Sequence, residues 1–339
     1  MICTLNRFGP RSALREAALA HGIPPAQIQP WAKRLPHAFV RGAKEADPGD
    51  ARADSPEPLR SLPFGSFDVE NDRTLELCMR RSVFEQTQCE LSYVEQLYTF
   101  ADKGRDPRER LGGSRVLSVG YLALVQEKDL AEAENSKWED CFDYFPWEDW
   151  RAGRPGVVAE IESALLEWAG GRRQLRERVG ICFGLGNAGW DAYKVLERYE
   201  LLYEAQMIPE FWFDRGESAQ SPMCARLGRP MAFDHRRILA TALARVRGKL
   251  RYRPVVFELI PESFTLLQLQ RVAEALTGLR LHKQNFRRQV ERSGLVEGTG
   301  RSEQKTGGRP AELFRFRRAV LRERRAPGMA TLHRPRDAN

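Results

Sequence analysis

The sequence predicts an α+β chain in which a sheet-bearing domain precedes a winged helix-turn-helix. Three observations point there. Two β-rich segments, LSYVEQLYTF (91–100) and SRVLSVGYLALVQ (114–126), flank the polar loop ADKGRDPRERLGG. Toward the C-terminus a helix, a tight turn, a basic helix and a Gly-rich basic hairpin follow in order. Charge divides the same way. Residues 235–339 carry 24 Lys+Arg against 9 Asp+Glu, a net of +15, which leaves −7 on the rest of a chain of net +8. A basic module on an acidic body is a footprint of nucleic-acid binding.

Residues 1–60 show no convincing apolar alternation. PPAQIQP and ADPGDARADSPEP read as turn and linker material, so a loosely ordered extension is expected, with HAFVRGAK as the best strand candidate. A helix runs from Leu75 to Val83, capped by Asp72 or Thr74, with Leu75, Cys78, Met79 and Val83 on one face. The two β-rich segments come next. The aromatic segment DYFPWEDW reads as core in preference to a stacking surface for adenine. Residues 156–171 and 190–207 read as helices, and FDHRRILATALARVRGK starts a helix near Asp234 that links the two halves.

FGLGNAGW places GxGxxG at Gly184, Gly186 and Gly189, after ICF and before a helix. A dinucleotide site needs a second strand ending in an acid roughly 20 residues on. The strand-like candidate FWFD, ending at Asp214, comes late and follows Pro209, so a turn at a helix N-terminus is preferred over an NAD-dependent oxidoreductase. The histidines (His21, His37, His235, His282, His333) have no metal-ligand spacing, and no nucleophilic triad is defensible, so neither a metal nor catalytic residues are expected. The cysteines form no CxxC pair, which fits a reducing cytosol. No apolar run of about 18 residues suggests a membrane span. The N-terminus lacks the apolar core of a signal peptide, so a cytoplasmic protein is expected.

In ESFTLLQLQRVAEALTG, Thr265 is an N-cap with Gln268 three residues on, and Phe264 can staple to Leu269. Leu266, Leu269, Val272, Ala273 and Leu276 form the inner stripe, and Gly278 ends the helix. In HKQNFRRQVERSG only Phe286 and Val290 face inward, leaving Lys283, Gln284, Asn285, Arg287, Arg288 and Arg292 outside. A recognition helix needs that division, because one narrow stripe packs while long cationic and amide side chains reach base edges and phosphates. The hairpin LVEGTGRSEQKTGGRPAELFRFR supplies glycines to bend and Arg301, Lys305 and Arg309 to reach the backbone of a DNA duplex.

The run from FDHRRILATALARVRGK through NFRR to GRPAELFRF, roughly residues 232–318, resembles the C-terminal half of the Nudix-related transcriptional regulators of NAD metabolism. YVEQLYTFADKGRDPR followed by VLSVGYLALV resembles their Nudix strands. The length is closer to the longer branch of such regulators, whose targets are NAD-synthesis genes. The resemblance implies a Nudix-like α/β/α mixed-sheet domain over 61–231 with a helical insertion about 155–225. A connector helix and winged helix-turn-helix would fill 232–325, and 326–339 would be a disordered tail. It implies no bound cofactor, but an adenine nucleotide such as ADP-ribose, NAD or ATP as regulatory ligand. It also implies double-stranded operator DNA as partner, and a homodimeric repressor.

The Nudix box can be laid on the chain. Its Arg falls on Arg81 and its apolar position on Val83, and of its three helix glutamates one falls on Glu85 while the others fall on Ser82 and Gln86. The early Glu falls on Arg73, the first Gly on Phe67 and the late Gly on Gln88. Positions 82, 85 and 86 share one helix face, where an active enzyme holds Mg²⁺ between carboxylates and a diphosphate. One carboxylate of three argues for a silent domain. The alternative, a Nudix-type nucleoside-diphosphate hydrolase with an accessory basic domain, would need the missing glutamates. Two departures stand out. Residues 1–60 do not show the strand pair that normally precedes the box, so they are a poorly ordered extension or altered first Nudix strands, and His282 stands where these regulators carry an acidic cap.

Overall fold

Of residues 1–60, where the sequence left a loosely ordered extension or altered first strands open, Ile2–Phe8 forms a strand, β1, inside the sheet. Its backbone pairs in parallel with β2 (Phe64–Ser66) on one side and antiparallel with β4 (Leu117–Leu124) on the other. A strand held on both edges draws its stability from pairing as well as from side-chain alternation, which is why ICTLNRF carries a weak sequence signal. The computed structural model describes residues 2–8, 59–68, 70–106, 109, 112–126, 138–303, 310–323 and 328. HAFVRGAK, Lys305, Arg309 and nearly all of 326–339 lie outside the described residues.

The sheet order is β2-β1-β4-β3, with β3 at Tyr93–Phe100. Strand β4 sets the layering. Val119, Tyr121 and Ala123 pack with Met79 and Val83 of helix α1 (Leu75–Thr87). The alternate residues Leu122 and Leu124 join the larger core with Ile238 and Leu239 of a later helix. Both faces of the strand are therefore covered, giving an α/β/α sandwich around a mixed sheet. Gly120 sits where a Cβ would come within 2.9 Å of the Phe100 ring, so only glycine lets that ring lie against the strand.

After the sheet come α2 (Gly156–Ala169), α3 (Arg173–Phe183), α4 (Val195–Glu204) and α5 (Pro209–Phe213). Helix α3 covers ICF, and α5 covers most of FWFD, so neither is a strand. Gly184 is the left-handed C-cap of α3 at φ +70°, with its N–H returning to Gly180. The GxGxxG run is thus the exit of one helix, not a strand-to-helix turn, and the phosphate cradle of a βαβ unit has no strand to follow.

Helix α6 (His235–Leu250) runs through the middle of the molecule, packed against β1, β3 and β4 on one side and α4 on another. Arg236, Ala240, Leu243, Arg247 and Leu250 are all buried on it at helical spacing. It is a core helix shared by the sheet and the C-terminal module, not an exposed linker.

Candidate nucleic-acid interface

The C-terminal module consists of α7 (Leu266–Thr277), α8 (Lys283–Ser293), and the hairpin of β5 (Val296–Glu303) and β6 (Ala311–Phe316), followed by the short α9 (Val320–Glu323). The capping box at the start of α7 is complete, with the Thr265 hydroxyl accepting from Gln268 N at 3.2 Å and Gln268 Oε1 accepting from Thr265 N at 2.7 Å. Leu266, Leu269 and Ala273 are buried, with Val272 and Leu276 partly so. Gly278 and Gly294 close α7 and α8 in the left-handed conformation. The backbones of Phe264 and Phe314 exchange hydrogen bonds at 2.9 and 2.8 Å, which fastens the hairpin to the entrance of α7.

Helix α8 buries Phe286 and Val290, and nothing else on it is fully covered. Lys283, Gln284, Asn285, Arg287, Arg288 and Arg292 are exposed. Arg288 Nη2 donates to Asn285 Oδ1 at 2.6 Å, so two of these side chains are held together one turn apart. Arg301 is exposed beside a bulge in β5, where the pairing slips between Gly298 and Ser302 and Gly300 takes φ +71°. At the far end of α8, Arg317 Nε donates to the Gly294 carbonyl at 2.8 Å and holds the start of β5 against the helix end. The surface offers guanidinium, ammonium and amide donors on a convex helix of one-sided packing, which is the chemistry that reads a major groove.

The box positions on α1 are also well defined. Ser82 is buried under β2, where a Cβ on Gly65 would sit 2.8 Å from the Ser82 Cβ. Gln86 Nε2 donates to the Phe64 carbonyl at 2.7 Å, and its Oε1 accepts from Phe64 N at 3.3 Å. Glu85 is exposed and lies 4.0 Å from Arg81, whose Nη2 donates to both oxygens of Asp72 at 2.7 and 2.8 Å. Gln88, where the box has its late Gly, holds φ +55°. Ser82 and Gln86 are thus taken up by β2, and Glu85 alone is a single exposed carboxylate, which does not fit Mg²⁺ coordination. No group of three or more metal-capable side chains occurs among the described residues.

Sequence reasoning missed the buried charges. Glu148 accepts from Arg198 at 2.5 and 2.9 Å and from Arg247 at 2.5 Å, all of them essentially inaccessible to solvent. Burial opposes the ionisation of Glu148, and the two guanidinium groups outweigh it and hold the carboxyl below the usual range. Arg236 reaches Glu210 at 3.2 Å and the carbonyls of Tyr144 and Leu227. Arg105, in the loop after β3, donates to both oxygens of Asp234 at 2.8 and 2.6 Å and also to Ser118. The available signal was a cation on an apolar helical stripe, as at Arg236 and Arg247, which demands a buried acid without saying which.

Residues 256–316 match the family described as the NrtR DNA-binding winged helix domain. The module is an NrtR-type winged helix. Over 260 residues, 76% of this chain and 69% of the relative, the sequence is 26% identical to the ADPR responsive transcriptional repressor NtrR of Acinetobacter baylyi. The two matches make the chain similar to NrtR-type regulators, with the family model confined to the winged helix. Among solved structures, Shewanella oneidensis NrtR complexed with a 27mer DNA is 22% identical, with a TM-score of 0.42 over 80% of this chain and 82% of that one. A MutT/nudix family protein from Enterococcus faecalis is 16% identical, with a TM-score of 0.43 over 91% of this chain and all of the other. No helix among the described residues is long and apolar enough to cross a membrane.

Proposed function

We propose that the chain is a repressor that binds operator DNA through its NrtR-type winged helix and releases it on binding ADP-ribose, acting on genes of NAD synthesis or salvage. The observation that carries this reading is the one-sided α8. It buries Phe286 and Val290 and presents Lys283, Gln284, Asn285, Arg287 and Arg288 outward, within a segment matching a DNA-binding family. Arg301, Lys305 and Arg309 serve the phosphate backbone. The relative's name, an ADPR responsive repressor, supports ADP-ribose among the adenine nucleotides the sequence allows.

The mixed-sheet body is a ligand-sensing domain without hydrolysis. Ser82 and Gln86 replace two metal-binding carboxylates, and β2 lies on the face they would form. This disfavours a Nudix hydrolase. The protein works in the cytoplasm as a homodimer, since one winged helix reads one half-site and two-fold operators match two-fold proteins. The ligand shifts DNA affinity by binding the free and DNA-bound arrangements unequally.

The test is capture of genomic fragments on the full-length protein, repeated with ADP-ribose, NAD and ATP. Fragments upstream of NAD-synthesis or salvage genes should be enriched, and ADP-ribose should deplete them. Capture without sequence preference, or indifferent to all three nucleotides, would contradict the reading.

A further inference from the structure

The end of α7 and the turn leading into α8 are held from outside the winged helix. Arg247, on α6, donates from Nε to the Leu276 carbonyl at 3.0 Å and from Nη1 to Glu148 at 2.5 Å and to the Ala192 carbonyl at 2.9 Å. Leu276 carries one of the last carbonyls of α7, which lack partners inside the helix, and a cation there also meets the negative end of the helix dipole. Trp150 N donates to the Gly278 carbonyl at 2.6 Å, and Trp150 and Leu279 form a parallel bridge. Gly278 has no room for a side chain. A Cβ would overlap the Glu148 carbonyl and lie 2.8 Å from Arg247 Nη2 and 3.2 Å from the Phe142 ring.

Within the turn, Leu281 N donates to Glu274 Oε1 at 2.8 Å, and Gln270 Nε2 donates to the Leu281 carbonyl at 2.9 Å. Helix α8 then begins after His282, which makes no side-chain cap. Its direction is therefore set by the turn behind it, and that turn is fixed to the body by Glu148, Arg247 and the Trp150 backbone.

We propose that Glu148 and Arg247 are positioning residues for DNA recognition. Buried beneath the turn, they fix the angle at which α8 leaves the body, so that its exposed face meets a duplex in one register. This rests on the DNA-binding reading of α8 given above. Arg247→Lys keeps the charge beside Glu148, but one ammonium cannot serve Glu148, Ala192 and Leu276 in the fork geometry of a guanidinium.

The experiment compares wild type and full-length Arg247→Lys on two duplexes: one enriched by the wild type from a random library, and a scrambled duplex of equal composition. Failure of the wild type to discriminate between them defeats the DNA-binding reading itself, and this proposal with it. With discrimination in hand, Arg247→Lys should lower the ratio of the two affinities roughly tenfold, within the range that specific and non-specific binding span. Its affinity for the scrambled duplex and its salt dependence should stay at the wild-type level, which a general loss of structure would not allow. An unchanged ratio in a folded Arg247→Lys protein overturns the proposal. Should that variant not fold, hydrogen exchange on the wild type decides. Amides of Gly278, Leu279 and Leu281 should exchange as slowly as those of α6, and exchange as fast as the wing would overturn it.

Discussion

Arg288 and Asn285 are joined on the exposed face of α8, the guanidinium donating to the amide oxygen at 2.6 Å. The contact occupies one guanidinium N–H and the Asn acceptor, leaving the remaining guanidinium donors and the Asn amide N–H groups for a base pair. A pre-placed pair costs less side-chain entropy on binding than two free side chains.

Arg288→Ala and Asn285→Ala should each weaken operator binding by about 1–3 kcal/mol and relax specificity at one operator position. Because the residues touch, the double variant should cost less than the two losses combined. Arg301→Ala should instead weaken all sequences alike and lower the salt slope by about one. Anisotropy titrations over a salt series check both. Equal losses on random DNA for all three variants would remove α8 from the role of reader.

Hydrolysis should be absent. Wild type with Mg²⁺ should release no AMP from ADP-ribose or NAD in a chromatographic assay, and Ser82→Glu with Gln86→Glu should not create the activity. The double variant should also melt earlier. A glutamate at 82 overpacks the contact with Gly65, at about 1–3 kcal/mol, and position 86 loses the amide donor to the Phe64 carbonyl, at about 0.5–1.5 kcal/mol. Turnover by the wild type would return the chain to the enzymes.

The Arg105–Asp234 pair joins the loop after β3 to the start of α6 and is shielded from solvent on both sides. Removing one partner strands the other charge, so Arg105→Ala should destabilise by about 3–5 kcal/mol in chemical denaturation. Asp234→Asn should do the same with a smaller loss, since the amide still accepts from Arg105. A loss below about 1 kcal/mol for Arg105→Ala would mean that water reaches the site.

How far the sequence could be read follows from where each signal lives. The C-terminal module was legible because caps, left-handed glycines and one apolar stripe act within a few residues, as at Thr265, Gln268, Gly278 and Phe286. Strand β4 was visible as a β-rich run, but not the layering of its two faces. Strand β1 was not visible, since its pairing partners lie far along the chain at Phe64 and Ala123. Helix α3 was missed because GxGxxG after ICF was read as a turn at a helix N-terminus. The helix instead packs on α4 and finishes on Gly184. Glu148 and its arginines were beyond reach for the same reason as β1, being 50 and 99 residues apart.

Asp214 gives the body a pH signature. Burial raises its carboxyl to about 6, against the Tyr203 hydroxyl and the Arg237 charge, which lower it. A raised carboxyl favours folding while protonated, so its contribution is full below the unfolded aspartate value and is lost as pH rises through about 6. Asp214→Asn keeps an acceptor for Tyr203 without the charge. Its melting temperature relative to wild type should therefore rise between acidic and neutral pH, as followed by circular dichroism. A difference independent of pH would show that Asp214 titrates as an exposed group.

The central claim joins the reader to the sensor, and one titration tests it most directly. Anisotropy of a labelled operator duplex, selected by the full-length protein, is measured with and without saturating ADP-ribose. The account predicts weaker binding with the nucleotide, by about 1–3 kcal/mol or roughly 5–150-fold, and by reciprocity an equal weakening of ADP-ribose binding by the duplex in calorimetry. An operator affinity unchanged by ADP-ribose would contradict it.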